Sequence, residues 1–353
     1  MGIMASSAEM KNGSNIKRVA KILKDENTSR VVVMTGAGIS TSAGIPDFRS
    51  PVTGLYASLE KFNLPYPEAL FDIKYFQNNP KPFYTLYSEL YPDGAKYRPT
   101  LTHCFLRLLE QKGKLLRVFT QNIDALEQLV GLTQDSIVEA HGSFANARCV
   151  KCKRRVEQKW LEKKVKSGIV ARCEKCPLHD DVLAPPIKPD ITFFGENLPE
   201  RFFERLYDFR RADLLLVMGT SLVVQPFASL IDEVSLSCPR ALLNLEKVGE
   251  RRRNFSFIHD ADEGFDFDDA HSRDIFCQGK VDDTVRKLAQ YCGWEDDLDK
   301  IYKNMNECMD REMGLKNRIS VEEDKRSNSE MDPDLLADQL KAATLENTRN
   351  EKL

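Results

Sequence analysis

Val31-Val32-Val33-Met34-Thr35-Gly36-Ala37-Gly38-Ile39-Ser40 is the stretch on which the fold turns. Its apolar part is continuous and β-branched, as in a strand buried on both faces of a parallel sheet, where an amphipathic edge strand would alternate. The glycines that follow permit a tight turn and bring backbone N–H groups close to a pyrophosphate, at the positive end of a helix. Taken alone, Gly-x-Gly after a strand is weak, because many strand–helix turns need glycine for geometry. Thr41 stands where a dehydrogenase fingerprint has its third glycine, and no acidic strand end follows about 20 residues on to grip a ribose. Nucleotide binding survives these departures, and hydride transfer is disfavoured.

Outward from this segment, short apolar runs recur at 115–119, 137–139, 191–194, 214–218, 241–245 and 275–277, separated by helical patterns such as 102–111 and 201–211. Repeated strand–helix alternation predicts an α/β fold with a doubly wound, Rossmann-like parallel sheet. Two segments break the rhythm. Residues 47–100, rich in Pro, Tyr and Phe, read as a helical insertion with a cofactor loop, and 144–188 as a small zinc-binding domain inserted between strands. The expected organisation is a disordered 1–15, a nucleotide-binding domain over 16–143 and 189–300, the zinc module at 144–188, and a charged tail over 301–353. From about Lys316 the tail reads as disordered, with a brief helix over 334–345.

Hydrophobic residues at 42% and charged residues at 30% are the balance of a soluble globular chain. A net charge of -3 gives no ground for non-specific binding to DNA or to an anionic membrane. The uncharged run 214–231 has the length of a membrane span, but Gly219-Thr220-Ser221 and Gln225-Pro226 divide it into strand, turn and helix start. Neither a secretory nor a transit signal is expected. Met1-Gly2 with Ser6 matches the loose myristoylation pattern, whose single acyl chain anchors only marginally.

Nine cysteines, an odd number, fit a reducing compartment better than a disulfide framework. Cys149, Cys152, Cys173 and Cys176 form two C-x-x-C pairs 20 residues apart, the spacing of a zinc ribbon. Each pair makes a knuckle presenting two thiolates, and two knuckles complete a tetrahedron. Four thiolates leave no open position even with His179 nearby, so the ion is structural. Lys151, Lys153, Arg154 and Arg155 make a basic cluster that reads as the solvated face of this module, with no sequence-specific nucleic-acid binding.

The run from Gly36 to Ser50 (Gly-Ala-Gly-Ile-Ser-Thr-Ser-Ala-Gly-Ile-Pro-Asp-Phe-Arg-Ser) resembles the signature of the sirtuins, NAD-dependent protein-lysine deacylases. Further segments match in order: Thr120-Gln121-Asn122-Ile123-Asp124, Glu139-Ala140-His141-Gly142, Lys188-Pro189-Asp190 leading to Phe193-Phe194-Gly195-Glu196, and Met218-Gly219-Thr220-Ser221-Leu222. The cysteine pairs fall where that family keeps its zinc module. The resemblance covers roughly 15–300. Segments 65–69 and 224–230 look most like the cytoplasmic, tubulin- and histone-deacetylating branch.

The resemblance implies cleavage of the glycosidic bond of NAD, attack of the acyl oxygen on the ribose C1′, and release of nicotinamide and O-acetyl-ADP-ribose. His141 is then the base for a ribose hydroxyl, a task that suits an imidazole. Asn122 orders the ribose and a water, and Ile123 and Asp124 hold the nicotinamide amide. Ala37, Gly38, Ile39, Ser40, Thr41 and Gln121 belong to the same cofactor set. Asp47, Phe48 and Arg49 cover the nicotinamide, while Thr220, Ser221, Asn244, Leu245, Glu246 and Val281 line the adenosine half.

Thr192, Phe193, Gly195 and Glu196 are the substrate contacts, the last two pairing with the peptide backbone as an added strand. Relatives usually carry Val where Thr192 stands. Tyr87 and Leu90 occupy positions where members accepting acidic acyl groups have Tyr and Arg, so a neutral acyl group is expected. The expected partners are acetylated proteins, histones and tubulin among them, in the cytoplasm and secondarily the nucleus. Two rival readings are a mono-ADP-ribosyltransferase and a non-catalytic, zinc-bearing chromatin adaptor.

Overall fold

The computed structural model describes residues 7–46, 63–90, 97–176, 183–251, 263–269 and 272–329. The chain divides into two units, Met1–Lys303 and Asn304–Leu353. The first is built on a sheet of six strands: β1 (Val31–Thr35), β2 (Leu115–Thr120), β3 (Ile137–Glu139), β7 (Leu214–Met218), β8 (Arg240–Asn244) and β9 (Asp274–Gln278). Their order is β3-β2-β1-β7-β8-β9, and every pairing is parallel. The winding direction reverses between β1 and β7. An open α/β sheet has its ligand crevice at the carboxyl ends of such a pair, because the loops there diverge to opposite faces.

The continuous apolar runs follow from cover on both sides. Val32 and Met34 pack into a core with Phe119, Phe202, Phe209, Phe227 and Leu242. Val31 and Val33, equally buried, point by strand alternation to the other face, where α1 (Ser7–Lys24), α4 (Leu101–Gln111) and α9 (Val281–Cys292) pack together. The doubly wound fold read from the sequence is therefore present.

Several local expectations change. Helix α1 starts at Ser7, within the stretch expected to be disordered. Ile16, Val19, Ala20 and Leu23 are buried on it, and the amides of Asn12 and Asn15 donate to the carbonyls of Gln278 and Phe276 on β9. The run 191–194 is not a strand of the main sheet. The strand there is β6 (Ile187–Ile191), in a separate antiparallel sheet with β4 (Gly142–Cys149) and β5 (Arg155–Val156). In the sequence Pro189 obscures it, since proline lacks the N–H a central strand needs.

The pattern 201–211 resolves into two short helices, α7 (Glu200–Glu204) and α8 (Tyr207–Arg210). The 47–100 insertion contributes α2 (Ile73–Asn78) and α3 (Lys81–Leu90), and α6 (Gln158–Lys166) packs on β4. The 214–231 stretch is β7, a turn and a 3-10 segment, Phe227–Asp232. Among the described residues no helix is long and apolar enough to cross a membrane.

The last helix among the described residues, α10, runs Glu295–Ser329, past the point where disorder was expected, and supplies what is described of the second unit. Gly2, Ser6, His179 and the 334–345 helix lie outside the described residues.

The turn after β1 departs from expectation too. In place of a helix there are two single 3-10 turns, Ala37–Ile39 and Thr41–Ala43, the second closed by Gly44 in the left-handed conformation. Gly38 instead meets the β7 exit: its N–H donates to Gly219 O at 2.7 Å. A Cβ on Gly38 would lie 2.7 Å from Gly219 Cα and 2.8 Å from its carbonyl oxygen, both backbone atoms that cannot step aside. Gly38→Ala is expected to cost about 1–3 kcal/mol. The check is a lower urea midpoint with an unchanged m-value.

Candidate active site

The loops at the carboxyl ends of β1, β2, β7 and β8 enclose a cavity of about 830 Å³. That volume lies in the range of roughly 300–1,000 Å³ typical of small-molecule and cofactor clefts. Its wall brings together Ala37, Gly38, Thr41, Gln121, Asn122, Ile123, His141, Thr220, Ser221, Asn244, Leu245, Glu246 and Val281, with Thr192, Phe193, Gly195 and Glu196 on the side of the cysteine-bearing sheet. Residues up to 244 apart in sequence thus meet at one edge of one sheet.

Ile39, Ser40 and Asp124 stand outside that wall. Ser40 and Asp124 are joined to it by a chain of hydrogen bonds. The Asn122 side-chain amide donates to Ser40 Oγ at 3.3 Å and to Gly36 O at 3.2 Å, and the Ser40 hydroxyl donates to Asp124 Oδ2 at 2.6 Å. With its N–H donors so engaged, Asn122 presents its carbonyl as an acceptor. Asp47, Phe48 and Arg49 lie outside the described residues.

His141 follows β3 and sits half-buried in the wall. Its Nδ1 lies 3.0 Å from Gln121 O. A carbonyl oxygen only accepts, so Nδ1 carries the proton and Nε2 is the basic nitrogen of the neutral ring. Gly142, at φ +69, turns the chain away at once, and a Cβ there would come 2.0 Å from Asp190 O. The backbone carbonyl of His141 accepts Thr192 N–H at 2.7 Å, tying the histidine to the segment after β6.

That segment leans on an aromatic cluster. The Phe193 ring is edge-on to Phe71 at 5.8 Å, Phe76 at 5.4 Å and Phe83 at 5.1 Å. The Glu196 carboxylate accepts Phe193 N–H at 2.9 Å and pairs with buried Lys188 at 2.9 Å, which fixes the turn carrying Gly195. Burial lowers the Lys188 ammonium, and Glu196 opposes that shift. Tyr87 does not reach the cavity. It is buried against Phe144 at 5.5 Å, and nothing is described of the Leu90 side chain.

Sequence reasoning missed Ser42, Lys280 and Asp282, which also line the cavity. Asp282 accepts the Ser42 hydroxyl at 2.6 Å and both the N–H and hydroxyl of Thr102. It thereby ties the turn after β1 to α4 and α9. An acidic residue in the first turn of α9 carries only the local signal of a helix N-terminus.

Away from the cavity, Cys149 and Cys176 sulfurs are 3.8 Å apart and those of Cys152 and Cys173 3.7 Å, all four lying within 4.8 Å of one another. Tetrahedral zinc with Zn–S bonds of about 2.3 Å needs sulfurs about 3.8 Å apart, so the cluster fits a structural zinc ion.

Residues 36–226 match the family described as Sir2. The chain is 45% identical over 298 residues to NAD-dependent protein deacetylase sirtuin-2 of Danio rerio, covering 83% of this chain and 76% of that protein. It is 41% identical over 322 residues to NAD-dependent protein deacetylase hst2 of Schizosaccharomyces pombe, covering 91% and 89%. To NAD-dependent protein deacetylase sirtuin-3 of Mus musculus it is 45% identical over 284 residues, covering 80% and 78%.

Proposed function

The chain belongs to the Sir2 family, and on that premise we propose how its cavity serves NAD-dependent deacetylation. The activity itself is removal of the acetyl group from acetyl-lysine on proteins, with NAD as co-substrate. When bound, NAD supplies a glycosidic bond whose cleavage releases nicotinamide and opens the ribose C1′ to the acyl oxygen.

The observation that carries the residue assignment is the His141 Nδ1–H bond to Gln121 O, which leaves Nε2 basic beside the cavity. His141 would take a proton from a ribose hydroxyl at that atom. Asn122, an acceptor by virtue of its engaged amide, would order the ribose and a water. Ile123 and Asp124 would hold the nicotinamide amide, with Ala37, Gly38, Ile39, Ser40, Thr41 and Gln121 around it and Asp47, Phe48 and Arg49 covering it. Thr220, Ser221, Asn244, Leu245, Glu246 and Val281 would take the adenosine half.

Thr192 and Phe193 would line the path of the acyl-lysine, and Gly195 and Glu196 would pair with the peptide backbone. Recognition through main chain makes for modest sequence selectivity. The aromatic and aliphatic lining from Phe71, Ile191 and Phe193 supports a neutral acyl group. Histones or tubulin as substrates, and a cytoplasmic or nuclear place, belong to the same proposal, supported by segments 65–69 and 224–230 and by a cysteine content suited to a reducing compartment. The test is incubation with NAD and an acetyl-lysine peptide, read by mass spectrometry. Nicotinamide and O-acetyl-ADP-ribose are expected in equal amounts, and absence of nicotinamide release overturns the proposal.

A further inference from the structure

Behind the cavity lies a group of titratable side chains that the reaction above leaves unused. His103, Asp124 and Glu127 each bring one side-chain polar atom to within 4.8 Å of the others. Their exposures are 0%, 8% and 2%, so the group is dry.

Hydrogen bonding fixes where its protons sit. His103 is the third residue of α4 and closes a capping box with Thr100, its Nδ1 accepting the Thr100 N–H at 3.1 Å. The proton of the neutral ring is therefore on Nε2, which is buried without a hydrogen-bond partner. With Nε2 protonated, the trio as folded offers a ring donor in place of a ring lone pair. It is an anion-holding site with one charge to place. Asp124 receives the Ser40 hydroxyl at 2.6 Å and the Leu126 N–H at 3.1 Å, and a ring nitrogen of His103 lies within 4.8 Å. Glu127 accepts the Thr35 hydroxyl at 3.5 Å and is hydrogen-bonded to Thr120 and to its own backbone N–H. Two carboxyl groups this close in a dry site do not both ionise.

We propose that Glu127 is a positioning residue for the nicotinamide end of the site: as a neutral carboxylic acid it leaves the single negative charge on Asp124, which is joined to the cavity wall through Ser40 and Asn122. This rests on the deacetylase reading above. The charged and titratable groups around Glu127 agree with it. From β3 comes Glu139, from the loop after β2 Asp124, from α4 the neutral His103, and α9 sends Asp282 towards His103; none is a cation. Burial first, and the Asp124 charge second, raise Glu127 to about 8, while burial lowers His103.

The pH dependence has a definite sign. Because the folded-state value is raised above the ordinary 4.5, the associated stability is complete below about pH 4.5 and is lost as pH climbs to about 8. Above about 8 Glu127 ionises and competes with Asp124 for its donors.

The test compares wild type with Glu127→Gln, which keeps the shape and stays neutral. Two profiles are measured on the full chain between pH 5 and 10: the melting temperature without ligand, and kcat/KM for NAD. In wild type the melting temperature is expected to fall between pH 5 and 8, and kcat/KM to drop about tenfold per pH unit above about 8, as for loss of one essential proton. In the variant both declines should vanish. A variant that retains the alkaline fall in kcat/KM, or that melts with wild-type pH dependence, overturns the role of Glu127. If wild type cleaves no NAD at any pH, the deacetylase reading fails, and the melting profiles still decide whether Glu127 holds a proton.

Discussion

Replacing His141 with alanine is expected to lower kcat/KM for deacetylation by about 10²–10⁴-fold, the usual contribution of a positioned general base. The size follows from geometry. With Nδ1–H held by Gln121 O, the ring has one orientation and one basic nitrogen, and no other imidazole lines the cavity among the described residues. His141 is only half-buried and stands at a strand end, so its loss leaves the sheet intact. Melting temperature and NAD affinity should therefore change little. Steady-state kinetics with an acetyl-lysine peptide, beside a thermal melt, makes the check. A fall of less than about tenfold would remove His141 from the base role.

The second large effect is expected on removing zinc. Structural zinc sites contribute on the order of 10–16 kcal/mol of apparent binding free energy near pH 7, more than a small module can replace. Chelation, or Cys173→Ser, should unfold the Cys149–Cys176 module and abolish activity without deleting any catalytic group. The connection is short. Module strand β4 pairs with β6, Tyr84 of α3 donates to Ile187 O at 2.6 Å, and β6 leads directly to Thr192 and Phe193 in the cavity wall. Thr192 in turn holds the backbone of His141. Zinc content, melting temperature and turnover should fall together and return together when zinc is restored under reducing conditions. Full turnover by zinc-free protein would contradict this chain of contacts.

Between these two sites lies the division of what a linear reading reveals. The six parallel strands were legible because burial on both faces writes a continuous apolar run into most of them, and helix α4 because its apolar face repeats at helical spacing. The zinc ligands were legible from spacing alone. Strand β6 was not, because Lys188-Pro189-Asp190 carries the local chemistry of a turn and becomes a strand only when β4 pairs with it. Helix α1 was missed for a related reason: its N-terminal turns are polar, and their order comes from carbonyls of β9 more than 260 residues away.

By itself, then, the sequence determined the sheet, the zinc module and the family resemblance on which His141 and Asn122 were singled out. These are properties of short windows, in which periodicity and ligand spacing are read directly. Only the tertiary structure decided that Gly38 closes on Gly219 instead of opening a helix, that Asp282 latches Ser42, and that Asp124 shares a dry pocket with His103 and Glu127. Each of those depends on groups brought together across the chain, where burial and hydrogen-bond partners, set by the packed fold, determine which atom carries the charge and which the proton.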